Sequence, residues 1–100
     1  MVRAKFVFVS YTTMLAGQGK HVDGKWVTLP SKEMRTLRFT PVYGNGDPNH
    51  ENTKFWEASP QGQLELGTVN PEAWSKFELG AEYYLDFTKA SPPPETKPAD

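Results

Sequence analysis

The sequence predicts a mainly β fold, a small five-stranded barrel of OB-like or SH3-like type carrying one or two short helices. Three observations lead there: apolar and polar residues alternate with period two over several short runs, Gly and Pro clusters separate those runs, and only two stretches carry helix-start signals. One hundred residues, 37% hydrophobic and 23% charged, suit a single domain and are too few for two.

The first strand runs from Val2 to Thr12, where Phe6 and Phe8 fall on one face and Val7, Val9 and Tyr11 on the other, as a central strand requires. Ala16 to Gly24 reads as a glycine-rich loop ending in the Asp23-Gly24 turn signal. A short second strand, Lys25 to Leu29, is limited by Pro30. In the third, Arg35 to Tyr43, Leu37 and Phe39 alternate with Thr36, Arg38 and Thr40, so Arg38 points outward. Asp47 followed by Pro48 has the form of an N-cap and first helical residue, which places a short helix within Asn49 to Ala58. The fourth strand is Gln63 to Val69. Asn70-Pro71-Glu72 then combines a capping side chain, a proline at the first helical position and a carboxylate near the positive helix end. Trp74 and Phe77 form the apolar stripe of that helix, Gly80 ends it, and the last strand, Ala81 to Lys89, alternates Tyr83, Leu85 and Phe87 with polar residues. The domain is therefore residues 1–90. Residues 91–100 hold four prolines and no large apolar side chain, which predicts a disordered, acidic, Pro-rich tail.

Without cysteine there is no disulfide framework, thiolate nucleophile or thiolate metal site, a composition that suits a reducing interior. No apolar run approaches the ~20 residues of a membrane span, and the N-terminal stretch is too short and alternating for a signal peptide. Charge is divided unevenly: residues 1–46 hold seven Lys/Arg against two Asp/Glu, and residues 47–100 hold four against ten. Such asymmetry fits a basic face for an anionic partner beside an acidic tail, or a fold that interleaves the two halves.

Four motifs carry a family resemblance: Pro41-Val42-Tyr43-Gly44, Glu51-Asn52 followed by Phe55, Asn70-Pro71-Glu72-Ala73, and Gly80-Ala81-Glu82-Tyr83-Tyr84-Leu85-Asp86-Phe87. Together they resemble a widespread group of small proteins encoded by tailed bacteriophages, over about residues 4–88. The resemblance implies expression in the host bacterial cytoplasm and three settings: handling of replicating DNA, blocking of a host defence, or a minor structural part in the virion. It carries over no activity and no site residue. The Ala16–Gly24 stretch and the Pro-rich tail exceed the family pattern.

Catalytic chemistry finds no support in the spacing. His21 and His50 lie in polar stretches without the partners of a triad or zinc motif, Asp47, His50 and Glu51 read as capping groups, and the glycine-rich stretch lacks the ending of a phosphate loop. No enzyme activity, metal or cofactor is predicted. Binding is better supported, because thirteen aromatics exceed what so small a core can bury. Lys25-Trp26 and Lys54-Phe55-Trp56 set a cation beside an aromatic, Tyr43 lies in a loop, and Arg35 and Arg38 sit near the same part of a barrel. Single-stranded nucleic acid takes such a surface, with cations tracking phosphates and flat rings stacking on bases.

The leading expectation is thus a non-enzymatic protein that binds single-stranded nucleic acid in support of replication or recombination. Its site would comprise Lys25, Trp26, Arg35, Arg38, Tyr43, Lys54 and Trp56. The alternatives are an anti-defence protein whose homo-oligomer traps a nucleotide immune signal between subunits, with the same residues stacking and clamping, and a minor virion protein with no ligand.

Overall fold

A computed structural model describes residues 2–92. It contains one antiparallel sheet and two short helices, with strands β1 (Val2–Val22), β2 (Lys25–Pro41), β3 (Leu64–Thr68) and β4 (Glu82–Phe87), and helices α1 (Glu51–Trp56) and α2 (Pro71–Trp74). The sheet order is β3-β2-β1-β4. The mainly β expectation holds, but the closed five-stranded barrel does not. Closure would require β3 to pair with β4, and these strands lie at opposite edges.

The strand count falls to four because the predicted second and third strands are one. Pro30 does not end β2, since among the described residues this part of β2 has β1 as its only neighbour and its outer edge needs no donor. The glycine-rich stretch is likewise strand rather than loop. Ala16 pairs with Lys32 and Gln18 with Leu29, so Pro30 and Ser31 bulge opposite Gly17 and the ladder continues to the tip. There Asp23 and Gly24 have φ of 49° and 76°, the two positive values that match a two-residue hairpin to the strand twist. The result is a two-stranded arm projecting from a four-stranded body. The radius of gyration is 19.2 Å, against ~13 Å for a compact chain of this length.

A second irregularity sets the faces of β1. Phe8 pairs with Phe39 and Ser10 with Arg38, which leaves Val9 unmatched. This bulge turns Tyr11 onto the same side as Phe8, with ring centroids 6.2 Å apart, correcting the expectation that the two residues face opposite ways.

One sheet face carries the core. Ala4, Phe6, Phe8, Leu37 and Phe39 are buried there, with Trp74 from α2 laid against them and Trp56, Leu64, Phe77, Tyr83 and Leu85 packed around. Phe39 sits at the centre, its ring 5.0 Å from Phe8, 5.5 Å from Phe77 and 6.1 Å from Tyr83. Helix α2 forms as its sequence predicts: Asn70 caps it by accepting from the Glu72 N–H at 3.1 Å, and Pro71 opens it. Helix α1 starts later than Asp47-Pro48 suggests. Asp47 instead accepts from the Asn49 N–H at 2.9 Å in a preceding turn, and His50 is the cap, its Nδ1 accepting from the Asn52 N–H at 3.0 Å.

Candidate nucleic-acid interface

The arm tip is built from local sequence. In the upper hairpin His21 pairs with Trp26, Gly19 with Thr28 and Lys20 with Val27. The Trp26 ring lies across Gly19, where a β-carbon would come within 2.2 Å of it, so the absence of a side chain at position 19 creates the seat. The His21 ring meets Trp26 edge-on, with centroids 5.2 Å apart and planes at 72°. Trp26 nevertheless stays 60% exposed, a large flat ring open to solvent. Lys20, paired with Val27, and Lys25, next to Trp26 on β2, project from the opposite face of the tip, and neither they nor Lys32 lower on the arm form an ion pair among the described residues.

In the body, Arg3, Lys5 and Arg38 are already engaged. Arg38 points outward as predicted, but its Nε donates to Glu65 at 2.8 Å and its Nη1 to Ser10 Oγ at 3.4 Å. Arg3 donates to Asp86 at 2.6 Å, and Lys5 lies 3.8 Å from Glu82. Across the body, then, the basic first half and the acidic second half are interleaved. The charge asymmetry survives on the arm.

The predicted site residues do not converge. Arg35 and Arg38 stand three apart on one strand and so occupy opposite faces of the sheet, which excludes a shared clamp. Arg35 lies on the core side at the foot of the arm, its guanidinium 4.6 Å from the Tyr11 ring centre and 4.9 Å from that of Trp74, with Nε donating to Glu33 at 3.3 Å. Tyr43 is exposed in the loop after β2, and Lys54 is exposed on α1. Trp56 is half-buried against Phe6 and donates its ring N–H to the Gln61 carbonyl at 3.1 Å, so it packs at the edge of the core. Lys25 and Trp26 are separated from Tyr43, Lys54 and Trp56 by the length of β2, about 50 Å at ~3.3 Å per residue.

A further cluster on the solvent face of the sheet needs the β1–β4 register to be seen. Lys5 pairs with Tyr84 and Arg3 with Asp86. Arg3 lies 4.5 Å and Lys5 5.2 Å from the centre of the half-exposed Tyr84 ring. Its hydrogen bond to Asp86 raises the Arg3 pKa and holds the Asp86 carboxyl below the usual carboxylate range. Glu51 beside this cluster is also lowered, chiefly by a hydrogen bond from its own backbone, with the Tyr84 hydroxyl and the Lys5 and His50 charges adding to it.

The surface of the described residues includes shallow clefts of about 190, 280 and 330 Å³. The 330 Å³ cleft lies at the foot of the arm, lined by Lys32, Glu33, Val69, Pro71 and Trp74. No group of three or more His, Cys, Asp or Glu able to hold a metal occurs among the described residues, and no described helix is long and apolar enough to cross a membrane. Comparison with known protein families, curated proteins and solved structures returns no match.

Proposed function

We propose that this chain is a non-enzymatic protein that binds single-stranded nucleic acid through the tip of its hairpin arm. The observation that carries the reading is Trp26, 60% exposed on a seat made by Gly19, with Lys20 and Lys25 projecting from the opposite face of the same narrow hairpin tip. A solvated indole gains free energy by stacking on a base, and unpaired ammonium groups gain by releasing counterions from phosphates. Arg38 is a weaker candidate than its sequence position suggested, because Glu65 already neutralises it. The bacteriophage resemblance supplies the setting, replication or recombination in a host bacterial cytoplasm.

The test is fluorescence anisotropy of a labelled oligothymidine at low and moderate salt. Wild-type protein is expected to bind with salt-sensitive affinity. Trp26→Ala is expected to weaken binding about 5- to 150-fold, the equivalent of ~1–3 kcal/mol for one stacked base. No binding at low salt, or binding indifferent to Trp26→Ala, overturns the assignment.

One observation favours a second reading, the trapping of a small nucleotide between subunits. The 330 Å³ cleft at the foot of the arm sets Lys32 beside the Trp74 ring, with Arg35 stacked on that ring. This cleft is too shallow to bury a nucleotide alone, so a second chain would have to close it. Calorimetric titration with nucleoside monophosphates and cyclic dinucleotides separates the two readings.

A further inference from the structure

We infer that the arm is a dimerisation device, in which the free edge of β1 pairs antiparallel with the same edge of a second copy. The arm cannot be accounted for as a self-sufficient element. A two-stranded ribbon without a third strand or a covering helix is marginal in water, yet here one runs from the body to Asp23-Gly24 with Met14, Leu15, Val22, Trp26, Val27 and Leu29 all exposed. Leu15 is 76% exposed.

The two edges of the ribbon differ, and the difference selects β1. Along β2 the edge is interrupted by Pro30, which has no N–H, and by the bulge at Pro30-Ser31. Along β1 the ladder to β4 stops at Val7, with one further exchange between Phe8 and the Gly80-Ala81 backbone. Beyond the Val9 bulge, Ser10 to Val22 continues without a proline or an extra residue, presenting unpaired backbone donors and acceptors at every second position.

The occupant that fits is the same strand of a second copy. A two-fold axis at Ala16, the midpoint of Ser10–Val22, sets each strand against itself in reverse, as a self-complementary interface requires. No Asp, Glu, Lys, Arg or His lies between Ser10 and Gly19, so this register opposes no like charges over that stretch. Lys20 would face Thr12 and His21 would face Tyr11 of the second copy. The free edge, Ser10–Val22, contributes thirteen residues a side, about half of the ~20–30 of a standard interface. The pairing is independent of nucleic-acid binding. It also presents two Trp26 tips per particle.

The test reads mass by light scattering across a concentration series, with circular dichroism to establish folding. Wild-type protein is expected at twice the monomer mass of 11.3 kDa. Leu15→Lys, a charge of the kind that blunts natural sheet edges, is expected to be folded and monomeric. The chain has no cysteine, so Ala16→Cys supplies a unique thiol. In an antiparallel pair across the axis its Cα would lie ~4.5–5.5 Å from its mate, within disulfide range, so oxidation is expected to link two chains, whereas Thr88→Cys on the body does not. A monomeric wild type, a dimer that persists in Leu15→Lys, or failure of Ala16→Cys to cross-link overturns the inference. Loss of oligothymidine binding with the dimer intact overturns only the nucleic-acid reading.

Discussion

The side-chain amide of Asn52 brackets the backbone of Lys5: its Oδ1 accepts from the Lys5 N–H at 2.7 Å, and its Nδ2 donates to the Lys5 carbonyl at 2.7 Å and to the Val42 carbonyl at 2.6 Å. Strand β2 ends at Pro41, and past that point Asn52 takes the place of a neighbouring strand beside β1. The residue is fully buried and α1 is thereby docked to the sheet. Asn52→Ala leaves the Lys5 N–H and the Val42 carbonyl without this partner, while the Lys5 carbonyl keeps the Val42 N–H at 3.0 Å, and at ~1–3 kcal/mol for a buried unsatisfied group the expected loss is roughly 2–5 kcal/mol. Asn52→Asp is expected to be worse, since a carboxylate would face two carbonyl oxygens. Urea denaturation of the two variants checks both expectations.

Phe39→Ala removes the ring that Phe8, Phe77 and Tyr83 surround. A loss of ~3–5 kcal/mol is expected from denaturant unfolding, because the lost burial is compounded by a cavity that close-packed rings collapse only in part. Leu15→Ala, by contrast, is expected to leave monomer stability within about 0.5 kcal/mol.

Gly19→Ala sets a β-carbon within 2.2 Å of the Trp26 ring. The ring must leave its seat, since this glycine is occupied by a side chain across the ladder rather than constrained by its backbone. Denaturation midpoints are expected to change little, while the near-ultraviolet circular dichroism of the indole weakens and oligothymidine binding falls with it.

Arg38→Gln is expected to change stability by no more than about 1 kcal/mol, because its ion pair with Glu65 is solvent-exposed. It is also expected to weaken oligothymidine binding less than Lys25→Gln, since only Lys25 has an uncommitted charge. An equal or larger effect at Arg38 in the anisotropy assay would move the interface from the arm to the sheet.

Asp86 and Glu51 both ionise more readily in the folded chain than in the unfolded one. Their contribution is present in full above the ordinary carboxylate range and is lost as pH falls through their lowered folded values, since the unfolded chain then binds protons more readily. Thermal midpoints are expected to decline below about pH 4. Asp86→Asn is expected to flatten that decline, with a smaller effect at neutral pH in high salt, where the Arg3 contact is screened.

Much of the resemblance pattern rests on residues that hold the fold. Asn52 completes the β1 edge, Asn70 and Pro71 start α2, and Gly80 takes a φ of +86° as its N–H donates to the Phe8 carbonyl. Gly44 is buried where a β-carbon would fall 2.5 Å from Thr53 Oγ1 and 3.1 Å from His50 Nδ1. Of the proposed nucleic-acid contacts, Lys20, Lys25 and Trp26 all lie outside those motifs.

What the sequence by itself determined about this protein is what nearest neighbours along the chain decide. The cap at Asn70-Pro71, the tight turn at Asp23-Gly24, the alternation that buries Leu37 and Phe39 while turning Arg38 outward, and the exposure of Trp26 and Tyr43 all follow from local sterics and from polarity repeating at the period of the strand. Tertiary structure alone decided which strands meet. Gly17 and Pro30 each read locally as strand breakers, but placed opposite one another they form a bulge that lets the hairpin continue. One unmatched residue at Val9 reverses the face of all that follows on β1, and the positions of β3 and β4 at opposite edges leave the sheet open. These outcomes depend on contacts between residues far apart in sequence, whose register no local period specifies. For the same reason Arg3 and Tyr84, at opposite ends of the chain, lie together.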